Sequence, residues 1–237
     1  MAFNELDLPQ EISRFEMPRA AVSGAVSRIP RSGSLYARLG KRLLDIAISL
    51  ALMPALLPVM AAIWLLIRRD GGGAIFAQPR VGREGRVFAC YKFRTMILDA
   101  ERELERMIAT DPAVAEEWRV HQKLRNDPRI TAIGKLLRKT SLDELPQILN
   151  VLKGDMSLVG PRPFLPSQKA IYDAAGGRAY YRLRPGVTGL WQVFSRHDTT
   201  FASRVRFDEA YGAHLRATGD LALILRTAKV VLLRTGA

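Results

Sequence analysis

Two adjacent carboxylates, Asp143 and Glu144, lie inside RKTSLDELPQILNVLKGDMSLVGPRP (Arg138 to Pro163), and Arg162 stands between two prolines at the end of that segment. An arginine in a Gly160-Pro161-Arg162-Pro163 loop presents its guanidinium with little conformational freedom, as a phosphate clamp requires. An ordinary rigid turn is the plain alternative. Ser141 followed three residues later by Glu144 has capping-box form, which predicts a helix from here through Leu152, ended by Gly154. In a first helical turn the dipole and free amides favour ionised carboxylates, so Asp143 is expected to stay an anion. Neighbouring helical residues point about 100° apart, which suits the two acids to separate tasks rather than to a facing glycosidase pair. Without further context, Glu144 as a cap and Asp143 as a complement to the dipole would account for both.

The cation balance favours an anionic partner. Lys and Arg total 36 against 23 Asp and Glu, a formal charge of +13, and 28 of the cations are arginines. Arginine binds phosphate through a planar fork where lysine acts as a point charge. Scattered arginines without interleaved aromatics give no footing for nucleic acid. There is no GxxxxGK[ST] loop, no GxGxxG after a strand and no Asp-x-Asp pair, so the common phosphate and dinucleotide fingerprints are absent. The one cysteine, Cys90, excludes an intramolecular disulfide framework and fits a reducing compartment. His121, His197 and His214 are too dispersed for a local metal motif. Any divalent ion would draw on acids near Asp143 and Glu144, with phosphate oxygens and water completing its shell.

Elements must hold these residues in place. Residues 1–34 carry Pro9, Pro18, Pro30 and Gly33 without an apolar period and read as a mobile tail, with no secretory signal. Ile46 to Ile67 is uncharged over 22 residues, about 33 Å as a helix and long enough to cross a bilayer. Arg38, Lys41 and Arg42 flank one end and Arg68 and Arg69 the other, so the positive-inside rule assigns both ends to the same side. Pro54 and Pro58 near the middle each remove a backbone donor and call for a bend. A re-entrant helical hairpin from about Lys41 to Arg69 satisfies both features, in preference to a straight single pass or a buried core helix. Alternation from Val87 to Met96 predicts a strand with Lys92 and Arg94 on one face. Helices are expected over 97–109, 113–125 and 131–139, a short strand at Pro185-Gly186 and beyond, and a basic amphipathic stretch from Asp208 to Leu233 that suits an anionic membrane surface.

These blocks, KRLLDIAISLA, YKFRTM, RKTSLDELPQILNVLKGDMSLVGPRP and RPGVTGLWQV, occur in an order that closely resembles the bacterial sugar transferases, the monotopic phosphoglycosyl transferases, over about residues 35–237. The resemblance implies an α/β monotopic membrane protein with a re-entrant helix and a catalytic domain on the cytoplasmic face of the bacterial inner membrane. It implies transfer of a sugar-1-phosphate from a nucleotide diphosphate sugar, of UDP type, to undecaprenyl phosphate, as in the smaller exopolysaccharide-type members. Asp143 is then the nucleophile and Glu144 its partner, both at a Mg²⁺ site. Lys92, Arg94, Arg138 and Arg162 match phosphate-organising positions, and Asp208 supports or braces the site. Leu57-Pro58 replaces the frequent Ser-Pro, and PGVTGLWQV the usual PGITGWAQV. The competing reading is a noncatalytic membrane scaffold that binds anionic lipid or nucleic acid. Which sugar, which base and whether the protein is a homo-oligomer are not legible from these residues.

Overall fold

A computed structural model of the chain describes residues 35–121, 124–194 and 201–232. The expected tail, His197 and Leu233 at the end of the expected amphipathic stretch lie outside the described residues. A π-helical turn, Tyr36–Gly40, leads into α1 (Lys41–Arg68). Then follow β1 (Ile75–Val81), β2 (Val87–Phe93), α2 (Ala100–Thr110), α3 (Pro112–His121) and α4 (Ala132–Thr140). After a 3₁₀ turn at Leu142–Glu144 come α5 (Gln147–Lys153), β3 (Ser157–Val159), α6 (Lys169–Ala174), α7 (Ala179–Arg182) and β4 (Gly186–Thr188). The described chain closes with α8 (Leu190–Phe194), α9 (Arg204–Ala213) and α10 (Ala217–Leu232). β1 and β2 form an antiparallel hairpin, and β3 pairs with β4 in parallel. The α/β expectation therefore holds with small sheets and a helical majority.

α1 is long and apolar enough to cross a membrane by length and composition. Only 11 % of its most apolar window is buried against the rest of the chain, which separates it from the core helix of a soluble protein. Its helical backbone continues through Pro54 and Pro58, so the two arms expected of the hairpin are one uninterrupted helix. The i−4 hydrogen bonds that the two prolines cannot make leave neighbouring turns to hold it. Both ends nevertheless return to the same domain. Near the start, Arg42 donates to the carbonyls of Val151 and Leu152, and the Asp45 carboxylate accepts from Leu158 N at 3.1 Å. Near the end, Ile63 and Ile67 pack with Ala74, Phe93 and Leu137. Leu43, Leu50, Leu57 and Leu65 face outward without protein cover. A helix with both ends on one body and a bare apolar flank is the re-entrant element of a monotopic membrane protein.

The predicted strand stops at Phe93, short of Met96, and its free edge is closed by a side chain. Asn150, wholly buried on α5, accepts from Tyr91 N at 2.9 Å and donates to Ala89 O at 2.8 Å, imitating a third strand. Asp111 separates α2 from α3 as Asp-Pro spacing predicts, and Leu124 and Arg125, expected within α3, lie outside a helix. The C-terminal amphipathic stretch is two helices, α9 and α10, parted at residues 214–216.

Candidate active site

The predicted helix start at Ser141 does not form. Ser141 adopts a left-handed conformation (φ 56°) and terminates α4, its N–H bonded to Arg138 O, with no side-chain cap. The chain then turns through one 3₁₀ step carrying Asp143 and Glu144, and α5 starts only after Pro146. A Ser-x-x-Glu pattern marks a helix start only where the Ser is extended, and here it is the last residue of the preceding helix. The turn points both acids at one cation. Lys92 Nζ lies 2.7 Å from Glu144 Oε1 and 3.9 Å from Asp143 Oδ2.

The same Glu144 oxygen accepts from Arg162 at 3.2 Å. Arg162 owes its place less to the flanking prolines than to pinned backbone: four successive carbonyls each accept a hydrogen bond. Pro161 O accepts from Gly186 N, Arg162 O from the Arg204 guanidinium, Pro163 O from Arg80 and Phe164 O from Val81 N. The chain can pass this close to β4 only as glycine. A Cβ on Gly160 would stand 2.4 Å from Arg184 O and one on Gly186 2.1 Å from Gly160 N, both impossible contacts. Arg138, on the last turn of α4, donates Nε to Thr95 Oγ1 at 2.9 Å.

Asp143 does not sit in the ionising environment expected of a first helical turn. Burial pushes its carboxyl above the ordinary value; Lys92 and Arg138 oppose that and Glu144 adds to it. It is thus a desolvated carboxylate held beside cations, an arrangement that raises nucleophilicity as well as pKa. Above the dyad opens a cavity of about 390 Å³ lined by Leu52 and Leu56 of α1, Leu145, Ile148, Thr227 and Ala228, with Glu144 and Arg162 at its wall.

Of two further residues expected at the site, Arg94 stands apart from the acids and Asp208 takes the bracing position of the two open to it. Arg94 leaves the end of β2 and forms a two-pronged pair with Asp70, at 2.5 and 2.8 Å, while also donating to Gly73 O. It fastens the exit of α1 and does not join Lys92, because the strand ends between them. Asp208 is 3 % exposed on α9, accepts from Tyr172 OH at 2.8 Å and faces Arg204 at 3.9 Å. It braces Arg204, which holds the Arg162 carbonyl and whose guanidinium lies over Phe164, Trp191 and Phe201. Arg80, Asn150, Tyr172 and Arg204 were not foreseen, since each contacts residues distant in sequence and none stands in a local motif.

A family model described as bacterial sugar transferase matches residues 36–234. The chain belongs to the bacterial sugar transferase family. Among relatives in this family, the undecaprenyl-phosphate galactose phosphotransferase of Salmonella typhimurium is 48 % identical over 83 % of this chain and 41 % of its own length. The exopolysaccharide production protein ExoY of Sinorhizobium fredii is 42 % identical over 84 % of this chain and 88 % of its own. The UDP-glucose:undecaprenyl-phosphate glucose-1-phosphate transferase of Escherichia coli is 33 % identical over 80 % and 39 %. The chain thus spans about two fifths of the galactose and glucose enzymes and most of ExoY.

Proposed function

We propose that this family member transfers a sugar-1-phosphate from a nucleotide diphosphate sugar to undecaprenyl phosphate, with its catalytic domain on the cytoplasmic face of the bacterial inner membrane. The observation that carries the reading is one lysine shared by two carboxylates, one of which, Glu144, stands with the rigidly held Arg162 at the polar wall of an apolar cavity that a membrane helix helps to build. Such a site suits a substrate pair in which charged phosphates must meet a long hydrocarbon.

In the first step an Asp143 carboxylate oxygen bonds to the sugar-bearing phosphorus. The bond from that phosphorus to the bridging oxygen breaks, and its electron pair leaves on the nucleoside monophosphate. In the second, a phosphate oxygen of the polyprenyl phosphate attacks the same phosphorus and Asp143 departs as carboxylate. Lys92 and Arg162 offset the charge that builds on the phosphoryl oxygens, and Arg138 adds positive potential at Asp143. The acceptor's isoprenoid chain lies against Leu52, Leu56 and Ile148. Among the described residues no three metal-ligating side chains cluster. Asp143 and Glu144 already share one cation, the Lys92 ammonium, so as hard oxygen donors they fit Mg²⁺ completed by phosphate oxygens and water. When bound, that ion would neutralise phosphate charge and polarise the phosphorus.

The most similar relatives described above include a galactose enzyme, which makes UDP-galactose the first donor to try. Purified full chain in detergent, given undecaprenyl phosphate and a panel of UDP-, GDP- and TDP-sugars, should release the nucleoside monophosphate and form lipid-linked sugar with at least one donor. A membrane scaffold would transfer nothing from any of them, and that outcome would overturn the reading.

A further inference from the structure

Away from the dyad, a second concavity of about 440 Å³ opens where the β1–β2 turn meets the C-terminal end of α5. Arg83, Arg86 and Arg184 line it together with Glu84, Asp155 and Gly154. Its carboxylates are already engaged. Glu84 pairs with Arg83 at 3.4 Å and with Arg86 at 3.2 Å, and Asp155 accepts from Asn150 at 3.2 Å. Arg184 donates Nε to Gly154 O at 2.9 Å and forms no ion pair among the described residues. Arg42 stands alongside, its terminal nitrogen 3.6 Å from where a Cβ on Gly154 would lie, with one donor of each terminal nitrogen given to the Val151 and Leu152 carbonyls.

A helix C-terminus draws cations, which explains Arg42 and one nitrogen of Arg184 without any ligand. It does not explain Arg83 and Arg86. They come from the opposite hairpin, where Glu84 takes up a left-handed conformation (φ 60°) within the turn between them. Burial first, and then the like charges of Arg42 and Arg83, disfavour the protonated form of Arg184. The hollow is thus lined by three guanidiniums, with a fourth on Arg42 beside it, against the two carboxylates of Glu84 and Asp155, an excess of positive charge that an incoming anion relieves.

The depth of the hollow narrows the ligand. Arg42 is in the first turn of α1, and Leu35, Leu39 and Leu43 at that same end are all bare apolar side chains. The hollow thus lies where the helix enters the apolar layer, at the level of lipid headgroups. We propose that Arg83, Arg86 and Arg184 form a binding site for a phosphate anion, filled in the membrane by the phosphodiester of an anionic phospholipid. The site is independent of the transfer chemistry, so the proposal stands or falls separately from the function above.

The test uses full chain in phosphatidylcholine nanodiscs with graded phosphatidylglycerol, reading lipid retained after release into neutral detergent by native mass spectrometry, together with Tm. Wild type should retain phosphatidylglycerol, and the double variant Arg83→Gln/Arg86→Gln should bind it about tenfold more weakly. Among the described residues those two arginines pair with Glu84 alone and leave the α5 end intact, so the variant tests the site even if Arg184→Gln does not fold. Arg119→Gln, an exposed arginine of α3 paired with Glu116, should match wild type. In a second arm, inorganic phosphate is added at millimolar concentration. Retention unchanged by phosphate assigns the site to lipid; displacement together with an equal rise in Tm assigns it to soluble phosphate. Equal retention by wild type and the double variant, with no Tm response to either anion, would overturn the proposal.

Discussion

Two acidic clusters meet the Gly160–Pro163 loop, one at the Arg162 guanidinium and one, through Arg204, at the Arg162 carbonyl, and they differ in every respect that separates a site from a brace. In front, Asp143 and Glu144 are 14 % and 16 % exposed and share Lys92, and Glu144 borders a cavity. Behind, Asp208 and Arg204 are 3 % and 4 % exposed at the side chain, and Tyr172, Phe164 and Trp191 close around them. The front cluster is open to solvent. The rear one is closed off from solvent and reaches the loop through the guanidinium that holds the Arg162 carbonyl. An acid in a basic protein thus becomes chemical or structural according to whether its cation is also offered to the outside.

The largest separation should come from removing one carboxylate at a time. Asp143→Asn should lower turnover by at least about a thousandfold, as loss of a nucleophile does, with Tm unchanged or slightly raised because a desolvated carboxylate is gone. Asp208→Ala should do the reverse. It leaves Arg204 buried without its partner and should cost about 3–5 kcal/mol of stability in chemical denaturation, while the folded fraction retains measurable transfer. If Asp208→Ala were as stable as wild type and inactive, the two clusters would not be distinct in kind.

Arg162 sharpens the front half of the contrast. Arg162→Lys keeps the charge and loses the fork, and should reduce kcat/KM for the nucleotide sugar by about tenfold, roughly 1.4 kcal/mol. Unchanged steady-state kinetics would remove the guanidinium from phosphate binding.

The rear cluster should show itself in pH dependence. Burial pushes the Asp208 carboxyl up to about 7, against the pull of Arg204 and Tyr172. Between the ordinary carboxylate value and about 7 the folded chain keeps a proton that the unfolded chain releases. Stability from this group therefore falls as pH rises through that window and levels off above it. Asp208→Asn carries no such proton, so its Tm should vary less between about pH 5 and pH 7 than that of wild type. Parallel Tm curves would show that Asp208 does not titrate there. The smallest effect is expected at Arg94, whose partner Asp70 is 44 % exposed at the side chain. Arg94→Lys should change stability by under about 1 kcal/mol and leave kcat/KM within about twofold, measured beside Arg162→Lys.

Much of the front cluster was legible because it is written in short contiguous blocks. Asp143, Glu144 and Arg162 come from one segment, and Lys92 from a strand whose alternation is plain. What misled was local form without its neighbourhood. Ser141 looks like a cap until α4 is seen to end on it, and Arg94 looks like a partner of Lys92 until the strand ends at Phe93. The apolar run and its basic flanks indicated a re-entrant element, but sequence could not show that the helix would continue through both prolines. The rear cluster was least legible. Tyr172 and Asp208 are 36 residues apart, and Arg204 reaches across 42 residues to the Arg162 carbonyl, so only packing brings them together.

The central claim is that Asp143 becomes covalently bonded to phosphorus, and a quenched mass measurement tests it most directly. Wild-type chain mixed with its nucleotide sugar and Mg²⁺, without polyprenyl phosphate, should release nucleoside monophosphate and gain the mass of one sugar phosphate on the peptide holding Asp143. Polyprenyl phosphate should then discharge it, and Asp143→Asn should show neither event. Turnover with strictly sequential kinetics and no such adduct in rapidly quenched wild-type protein would contradict the account.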